Sequence, residues 1–370
     1  MTSQPDPAQR DAEAAASLVD RYWEELLEIE PLIGTMVGDE RYDERLADPG
    51  EDGRRRRLDF QQGALDELAG LDRSALDVTM RTSLDVLESI AQRDVAEIGH
   101  RFDRLQVVSH LWGPGQLLAE LGSIQRTDSP ERLDRYAARL SAIPPYLAVI
   151  DEVVREGVTS GTLTPRVVAE RAVGQVERLL QIPPEESPAL AALAPEDGAA
   201  RDRIASVIRD EVNPAYERYL EGLREYLPHA TETIGLSALP DGDAMYATQI
   251  LAWTTLPLEA QEIHDIGVER LATIQEERRL IASRLGFPSA AEAVEAHTAG
   301  GHNTADSRET LLEVAREQVR RGWDAAPAFF GRRPTENCDV RLVEEFREAD
   351  MPSRSISLPR PTARARASTT

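Results

Sequence analysis

Apolar residues recur at helical spacing along most of the chain, and prolines mark where several of the runs stop. Leu18, Tyr22 and Leu26 fall on one face of a predicted helix, which Pro31 should end because proline lacks the N–H that a helix interior needs. Segments that alternate apolar and polar residues are nearly absent. The pattern predicts an all-α protein, an irregular multi-helix bundle with short connections.

The composition changes along the chain and suggests how it is divided. We predict a disordered leader over residues 1–12, a helical region over 13–182, a linker-like segment over 183–200, a second helical region over 201–350 and a disordered tail over 351–370. The linker-like segment reads PPEESPALAALAPEDGAA, and such runs rich in proline commonly separate folded regions.

The chain is strongly acidic, with a formal net charge of -24. Binding of nucleic acid needs clustered cations, so this charge argues against a nucleic-acid partner. The basic run 54–57 is best explained as a solvated surface. No window approaches the length of apolar sequence that spans a bilayer, and acidic residues stand where a signal peptide needs positive charge. The sequence therefore predicts a cytoplasmic protein with no membrane partner.

Motifs for common hydrolases and metal sites are absent. Cys338 is the single cysteine, so no internal disulfide can form. The six histidines never make H-E-x-x-H, which places two imidazoles on one helical face for zinc. Glu97 and His100 make one E-x-x-H pair, whereas a di-iron bundle needs two such pairs. His297 and His302 flank two glycines, and a polar surface loop explains them better than a metal site. We predict no catalytic residue and no metal ligand in this chain.

The most motif-like segment is LAWTTLPLEAQEIHDIGVERL. Thr255 and Pro257 look like the start of a helix, and His264 follows inside that helix. Its imidazole could contact a substrate, or it could stabilise a contact between domains by a hydrogen bond. The second role is the more common one for a histidine in such a position. We take four residues as candidates for lining a substrate cleft: Tyr246, Thr255, Glu262 and His264.

The tail has a different composition from the rest of the chain. It reads MPSRSISLPRPTARARASTT, with four arginines and no acidic residue. All basic residues of the chain are arginine, which indicates a GC-rich gene, and such genes give this composition when read out of frame. The shifted codons from 358 onward permit a Pro-Asp-Gly turn, and those of the stretch before it permit an aromatic strand. Two explanations remain open, a frameshift near residue 351 and a genuine disordered basic tail.

Four stretches together resemble a bacterial family known as domain of unknown function 885, whose members resemble zinc metallopeptidases of the gluzincin type. They are YWEELLEIEPLIGTMVGDERYDERLAD, LSAIPPYLAVIDEVVREGVTSGTLTPRVVAERAVGQVERLL, ALPDGDAMYATQILAWTTLPLEAQEIHDIGVERL and APAFFGRRPTENCDVRLVEEFREADMP. The resemblance covers nearly all of residues 18–352. It implies the N-terminal helical part of a metallopeptidase-like fold, which ends before the H-E-x-x-H helix.

This resemblance implies that zinc and a peptide-like small substrate belong to an intact parent protein and not to this chain. The first hypothesis is therefore a truncated, inactive portion of a metal-dependent peptide or amide hydrolase. Such a portion should expose the apolar face that its missing part covers. The alternative is a non-enzymatic, acidic helical binding or scaffold protein. The substrate, the oligomeric state and the origin of the truncation stay open.

Overall fold

The computed structural model describes residues 7–74, 76–301, 305–334 and 338–342, and this part is helical almost throughout. The predicted all-α fold class is confirmed. The tail over 351–370, with its question of reading frame, and His302 lie outside the described residues. The helices are α1 (Pro7–Ile29), α2 (Pro31–Val37), α3 (Glu51–Ala69), α4 (Val78–Gly99), α5 (Asp103–Gln106), α6 (Leu117–Ile124), α7 (Pro130–Ser141), α8 (Ile143–Ser160), α9 (Arg166–Gln181), α10 (Gly198–Val207), α11 (Asn213–Tyr226), α12 (Gly242–Thr254), α13 (Ala260–Arg284), α14 (Ala290–Ala299) and α15 (Arg308–Ala325).

The helices divide into two compact units. Unit 1 comprises the described residues up to Pro257, and unit 2 comprises those from Leu258 to Leu342. The sequence instead suggested a boundary at 183–200. In the structure this segment forms two short 3-10 helices, and alanine and leucine side chains of the second enter the core of unit 1. It folds because its apolar residues outweigh its prolines, and Tyr136 fixes it with a hydrogen bond from its hydroxyl to the carbonyl of Ala189 (2.8 Å).

The start of the chain also differs from the prediction. Helix α1 already begins at Pro7, inside the span 1–12 that the composition marked as a leader. Proline is well suited to the first position of a helix, where its missing N–H has no partner to lose. The alanine-rich stretch that follows then continues the helix.

Unit 1 has two hydrophobic cores. The larger core is built by α6 to α11 together with the two 3-10 helices after α9, and Tyr216, Tyr219 and Leu140 are among its fully enclosed side chains. The smaller core joins α1, α3 and α4, where the ring of Tyr22 stacks on Phe60 with centroids 4.7 Å apart. Helices with one apolar face can bury it only against each other, and the helices of these two cores do so.

Prolines shape the helices of unit 1 as their positions predict. Ser129 caps α7, since its hydroxyl accepts a hydrogen bond from the backbone N–H of Arg132 (3.3 Å). The chain breaks between α7 and α8, and Pro144 and Pro145 occupy the first turn of α8. Between α10 and α11 the helix continues through one π turn, Ile208–Val212, directly before Pro214. A π turn accommodates a proline that cannot donate to the preceding turn.

Unit 2 contains α13, α14 and α15. In the described part of unit 2, Ala282 is the apolar residue that is buried, and neither hydrophobic core includes a residue of this unit. Ser289 and Ser307 cap α14 and α15 through their side chains. The helices of unit 2 thus start with good local signals but enclose almost no apolar surface.

Candidate functional site

The four candidate cleft residues are divided between the two units. Tyr246 lies in α12 and Thr255 directly after it, both in unit 1, whereas Glu262 and His264 lie at the start of α13 in unit 2. All four are exposed. Tyr246 and Thr255 thus belong to α12 and its C-terminal end, whereas Glu262 and His264 belong to α13.

The sequence suggested that Thr255 starts a helix, but in the structure this residue ends α12. Its backbone adopts a left-handed conformation with φ of 58°, and its N–H donates to the carbonyl of Leu251 (2.9 Å). Left-handed geometry is unfavourable for a β-branched residue, and it is maintained here by the helix end. Helix α13 begins only at Ala260.

Glu262 and His264 are two residues apart on α13. On an α-helix this spacing turns the side chains by about 200°, so they leave opposite sides of the helix. One ligand could not be held by both side chains. Within the residues that the structure describes, no group of three or more His, Cys, Asp or Glu side chains lies close enough together to hold a metal ion.

A stronger candidate is a loop that the sequence did not predict. Apolar residues continue at helical spacing through 101–122, but the structure divides this span into the short α5, a loop and the start of α6. We call the loop the Trp112 loop and define it as residues 107–116. At its tip, Trp112 is 78% exposed and Leu111 is 41% exposed. Two apolar side chains thus face solvent on a segment that the rest of unit 1 holds in place.

Buried side chains hold this loop by its backbone carbonyls. The hydroxyls of Tyr219 and Tyr216 donate to the carbonyls of Val107 (2.5 Å) and Pro114 (2.8 Å). The carbonyl of His110 accepts from the side-chain amides of both Gln116 (2.8 Å) and Gln175 (3.1 Å). All four donors are buried, so each bond also satisfies a polar group that would otherwise be costly to bury.

Local contacts make the loop tighter still. The hydroxyl of Ser109 accepts hydrogen bonds from the N–H groups of Leu111 (3.1 Å) and Trp112 (3.3 Å). A Cβ atom on Gly113 would lie 2.3 Å from the carbonyl oxygen of Ser109, and one on Gly115 would lie 2.3 Å from Oε1 of Gln175. The contact with backbone requires glycine at position 113, whereas a side chain at position 115 would displace the amide of Gln175. The loop is a rigid support for an exposed tryptophan, an arrangement suited to binding.

A second polar cluster has a structural role. Arg139 is fully buried and donates to the hydroxyl of Thr35 (2.8 Å), to Oε1 of Gln125 (2.7 Å) and to the carbonyl of Tyr42 (2.6 Å). The hydroxyl of Thr35 also donates to Asp43 (2.6 Å). Burial lowers the pKa of Arg139 to about 10 and raises the pKa of Asp43. The cluster attaches the segment that follows α2 to helix α7. The donors and acceptors of these bonds are used within the protein, which indicates a structural role.

The chain matches the family described as "Bacterial protein of unknown function (DUF885)" over residues 31–369. It belongs to this family. The match runs into the tail, so it does not set residues 351–369 apart from the rest. Nothing among curated proteins matches the sequence.

Two solved structures share the fold. The "putative lipoprotein" from Colwellia psychrerythraea has a TM-score of 0.81 and 17% sequence identity, over 92% of this chain and 64% of its own. A "putative lipoprotein of unknown function" from Shewanella oneidensis has a TM-score of 0.59 and 15% identity, over 85% of this chain and 57% of its own. This DUF885 chain therefore spans less than two thirds of either relative.

Across the part of this DUF885 protein that the structure describes, no helix is both long and apolar enough to cross a membrane. The sequence signals that could have revealed the Trp112 loop are the run WGPG and the tyrosines 216 and 219, three residues apart on an otherwise apolar helix face. Neither signal identifies its partner, because the hydrogen bonds join residues about a hundred positions apart.

Proposed function

We propose that this chain is the helical, non-catalytic portion of a larger hydrolase that cleaves peptide or related amide bonds with a zinc-activated water. The observation that carries the proposal is the exposed apolar surface of unit 2, where Ala282 alone among the described apolar residues is buried. A portion that lacks its remaining fold should have such a surface. The shorter length relative to both solved relatives supports the same interpretation.

In this proposal the reacting groups belong to the intact parent. Zinc would polarise the substrate carbonyl and lower the pKa of a bound water, and its ligands would come from the H-E-x-x-H helix that the family resemblance implies. Tyr246, Thr255, Glu262 and His264 remain candidates for lining the cleft of a peptide-like small substrate. None of them acts on the substrate bond in this chain.

The test measures zinc content and peptidase activity of residues 1–370. We expect no stoichiometric zinc by mass spectrometry of the metal and no cleavage of a peptide library. Activity that a chelator abolishes and zinc restores would contradict the proposal. Sequencing the gene from the codon of Ala349 onward adds a second test, since a shifted frame with H-E-x-x-H should follow.

A second candidate function is a non-enzymatic acidic binding or scaffold protein, and the Trp112 loop favours it. A rigid loop with an exposed tryptophan is typical of a contact that is prepared before binding. This function predicts a stable, folded protein that ends at Thr370 and does not bind a hydrophobic dye. Dye binding to the purified chain separates the two candidates.

The absence of nucleic-acid and membrane partners and the cytoplasmic location remain proposals. The net charge of -24 supports the first. An electrophoretic mobility assay and cell fractionation test them, and a membrane-bound fraction would exclude the cytoplasmic location.

A further inference from the structure

Helix α13 exposes apolar side chains along its whole length. Leu271 is 55% exposed, Ile281 is 53% exposed and Leu285, just after the helix, is 66% exposed. A helix of a folded domain normally turns its apolar stripe toward the core and its charged face toward water. Here both faces are open to solvent.

The apolar residues form a regular seam. The seam consists of Gly267, Leu271, Ile274, Ile281 and Leu285, which recur at the three- and four-residue intervals at which side chains of one helix fit between those of a second helix. Arg278 occupies the same face between Ile274 and Ile281. Further apolar residues widen the seam on both sides: Ile266 and Leu280 on one side, and Val268 on the other. The apolar surface is therefore wider than a simple two-helix contact requires.

Gly267 adds a second, independent observation. It lies inside α13, where glycine costs about 1 kcal/mol relative to alanine. A Cβ atom added at this position would meet no atom within 4 Å, so nothing in the structure requires the small residue. A glycine at the first position of an apolar seam permits close approach by another segment of chain.

The same lack of cover extends to the rest of unit 2. Leu311 and Val314 on α15 are about half exposed, and Phe329 and Phe330 after that helix are 79% and 65% exposed. Unit 1 encloses most of its helices in two hydrophobic cores, although α12 exposes Leu251 and Trp253. In the described part of unit 2, no helix contributes to such a core.

Both solved relatives have a part that this chain does not match. The Colwellia protein shares 92% of this chain at a TM-score of 0.81, and yet more than a third of its own chain has no counterpart here. The Shewanella protein has an even larger unmatched part, since only 57% of it is covered. A segment of that length is ample to cover a helix such as α13, with 25 residues.

We propose that the seam of α13 is the docking surface for the part of the fold that these relatives have and this chain lacks. The occupant is a helical segment whose own apolar residues repeat every three to four positions and which approaches most closely at Gly267. The inference rests on the proposed function in one respect, because both take the chain as a portion of a longer protein.

The test uses residues 1–370 and measures amide hydrogen exchange, molar mass by light scattering and binding of the dye ANS. With its surface uncovered, α13 should exchange at least about 100-fold faster than α11, because an isolated helix is marginal in water. The protein should be monomeric and should bind ANS. Strong protection of α13 in a monomer would overturn the proposal, since this chain would then cover its own seam.

Two further results are decisive. Protection of α13 in a dimer would show that a second copy is the occupant, which contradicts the proposal. Leu271→Glu should reduce ANS binding by more than half, whereas Val86→Glu, at an equally exposed position of unit 1, should leave it unchanged. Equal loss in both variants would place the dye elsewhere and overturn the assignment to the seam.

Zinc content and peptidase activity give a separate readout. A chain that cleaves peptides and has an unprotected α13 would refute the proposed function and leave the docking surface standing. In the product of an extended reading frame, α13 should become as protected as α11. If it stays unprotected there, the docking surface is refuted whatever the activity of that product.

Discussion

Helices α11 and α13 show how differently the two units use similar local signals. Over 14 residues, α11 buries Tyr216, Tyr219, Leu223 and other side chains in the larger core. Over 25 residues, α13 buries Ala282. Both form from apolar residues at helical spacing, so helix formation is encoded locally in each. Burial depends on the presence of a partner surface, and unit 1 has that surface whereas unit 2 does not.

The largest effect should come from the buried cluster in unit 1. Arg139→Leu should lower the free energy of unfolding by about 3–5 kcal/mol, because it leaves the buried Asp43 without its cation. Urea denaturation measures the loss. Arg279→Leu in unit 2 is the control, since its contact with Glu276 is exposed and its removal should hardly be detectable. Equal losses would contradict the contrast between the units.

Truncating one leucine in each unit compares the two units directly. Leu140 is fully buried, so Leu140→Ala should cost about 2–5 kcal/mol by loss of contacts and creation of a cavity. Leu271 is 55% exposed, and Leu271→Ala should change stability by less than about 0.5 kcal/mol. Thermal unfolding of both variants checks this. A large loss at Leu271 would show that unit 2 is already covered.

The Trp112 loop should depend on its buried donors. Tyr216→Phe leaves the carbonyl of Pro114 without its donor and should cost about 1–3 kcal/mol. The tryptophan fluorescence should also change as the loop loosens. Tyr246→Phe, at an exposed tyrosine of the same unit, is the control and should alter neither property. An unchanged Tyr216→Phe variant would refute the rigid loop.

Alkaline pH should weaken unit 1 in particular. Burial raises the pKa of Tyr136, Tyr216 and Tyr219 above the ordinary value of 10.0. These groups stay neutral in the folded protein while the unfolded chain loses their protons, so stability is complete below pH 10 and falls as the pH rises above it. Urea denaturation between pH 8 and 11 follows the loss. Tyr219→Phe should make the fall less steep, and an equally steep fall would contradict this origin.

The smallest effect concerns the end of α12. Thr255→Gly should raise stability by about 0.5–1 kcal/mol, because glycine adopts the left-handed backbone without strain. Thr248→Gly, in the interior of α12, should have the opposite sign. Thermal unfolding of the two variants shows whether their stabilities change in opposite directions. Destabilisation by Thr255→Gly would show that the threonine side chain contributes more than its backbone costs.

Much of the fold followed from the sequence because its signals are local. The serine that caps α7 and the two prolines in the first turn of α8 are signals of this kind, readable from neighbouring residues alone. The Trp112 loop was missed because Leu117 and Leu118 continue a helical period through it, and the bonds from Tyr216 and Tyr219 that break the helix are long-range. The segment 183–200 was taken for a linker because prolines are visible in a sequence and the surface that buries Leu190 is not.

The candidate site was predicted least well. His264 and Glu262 drew attention as ionisable residues in a motif-like segment, yet their side chains leave opposite sides of α13. Trp112 carries no charge and no motif of known chemistry, and its importance becomes visible only when the buried glutamines 116 and 175 are seen to hold the same carbonyl.

The central claim is that unit 1 is complete in itself and unit 2 is not. It is tested most directly by producing residues 1–257 alone and comparing their thermal unfolding with that of residues 1–370. We predict a single cooperative transition for the shorter chain at the same temperature as the main transition of the longer one. A shorter chain that shows no cooperative transition, or melts at a much lower temperature, would contradict the account.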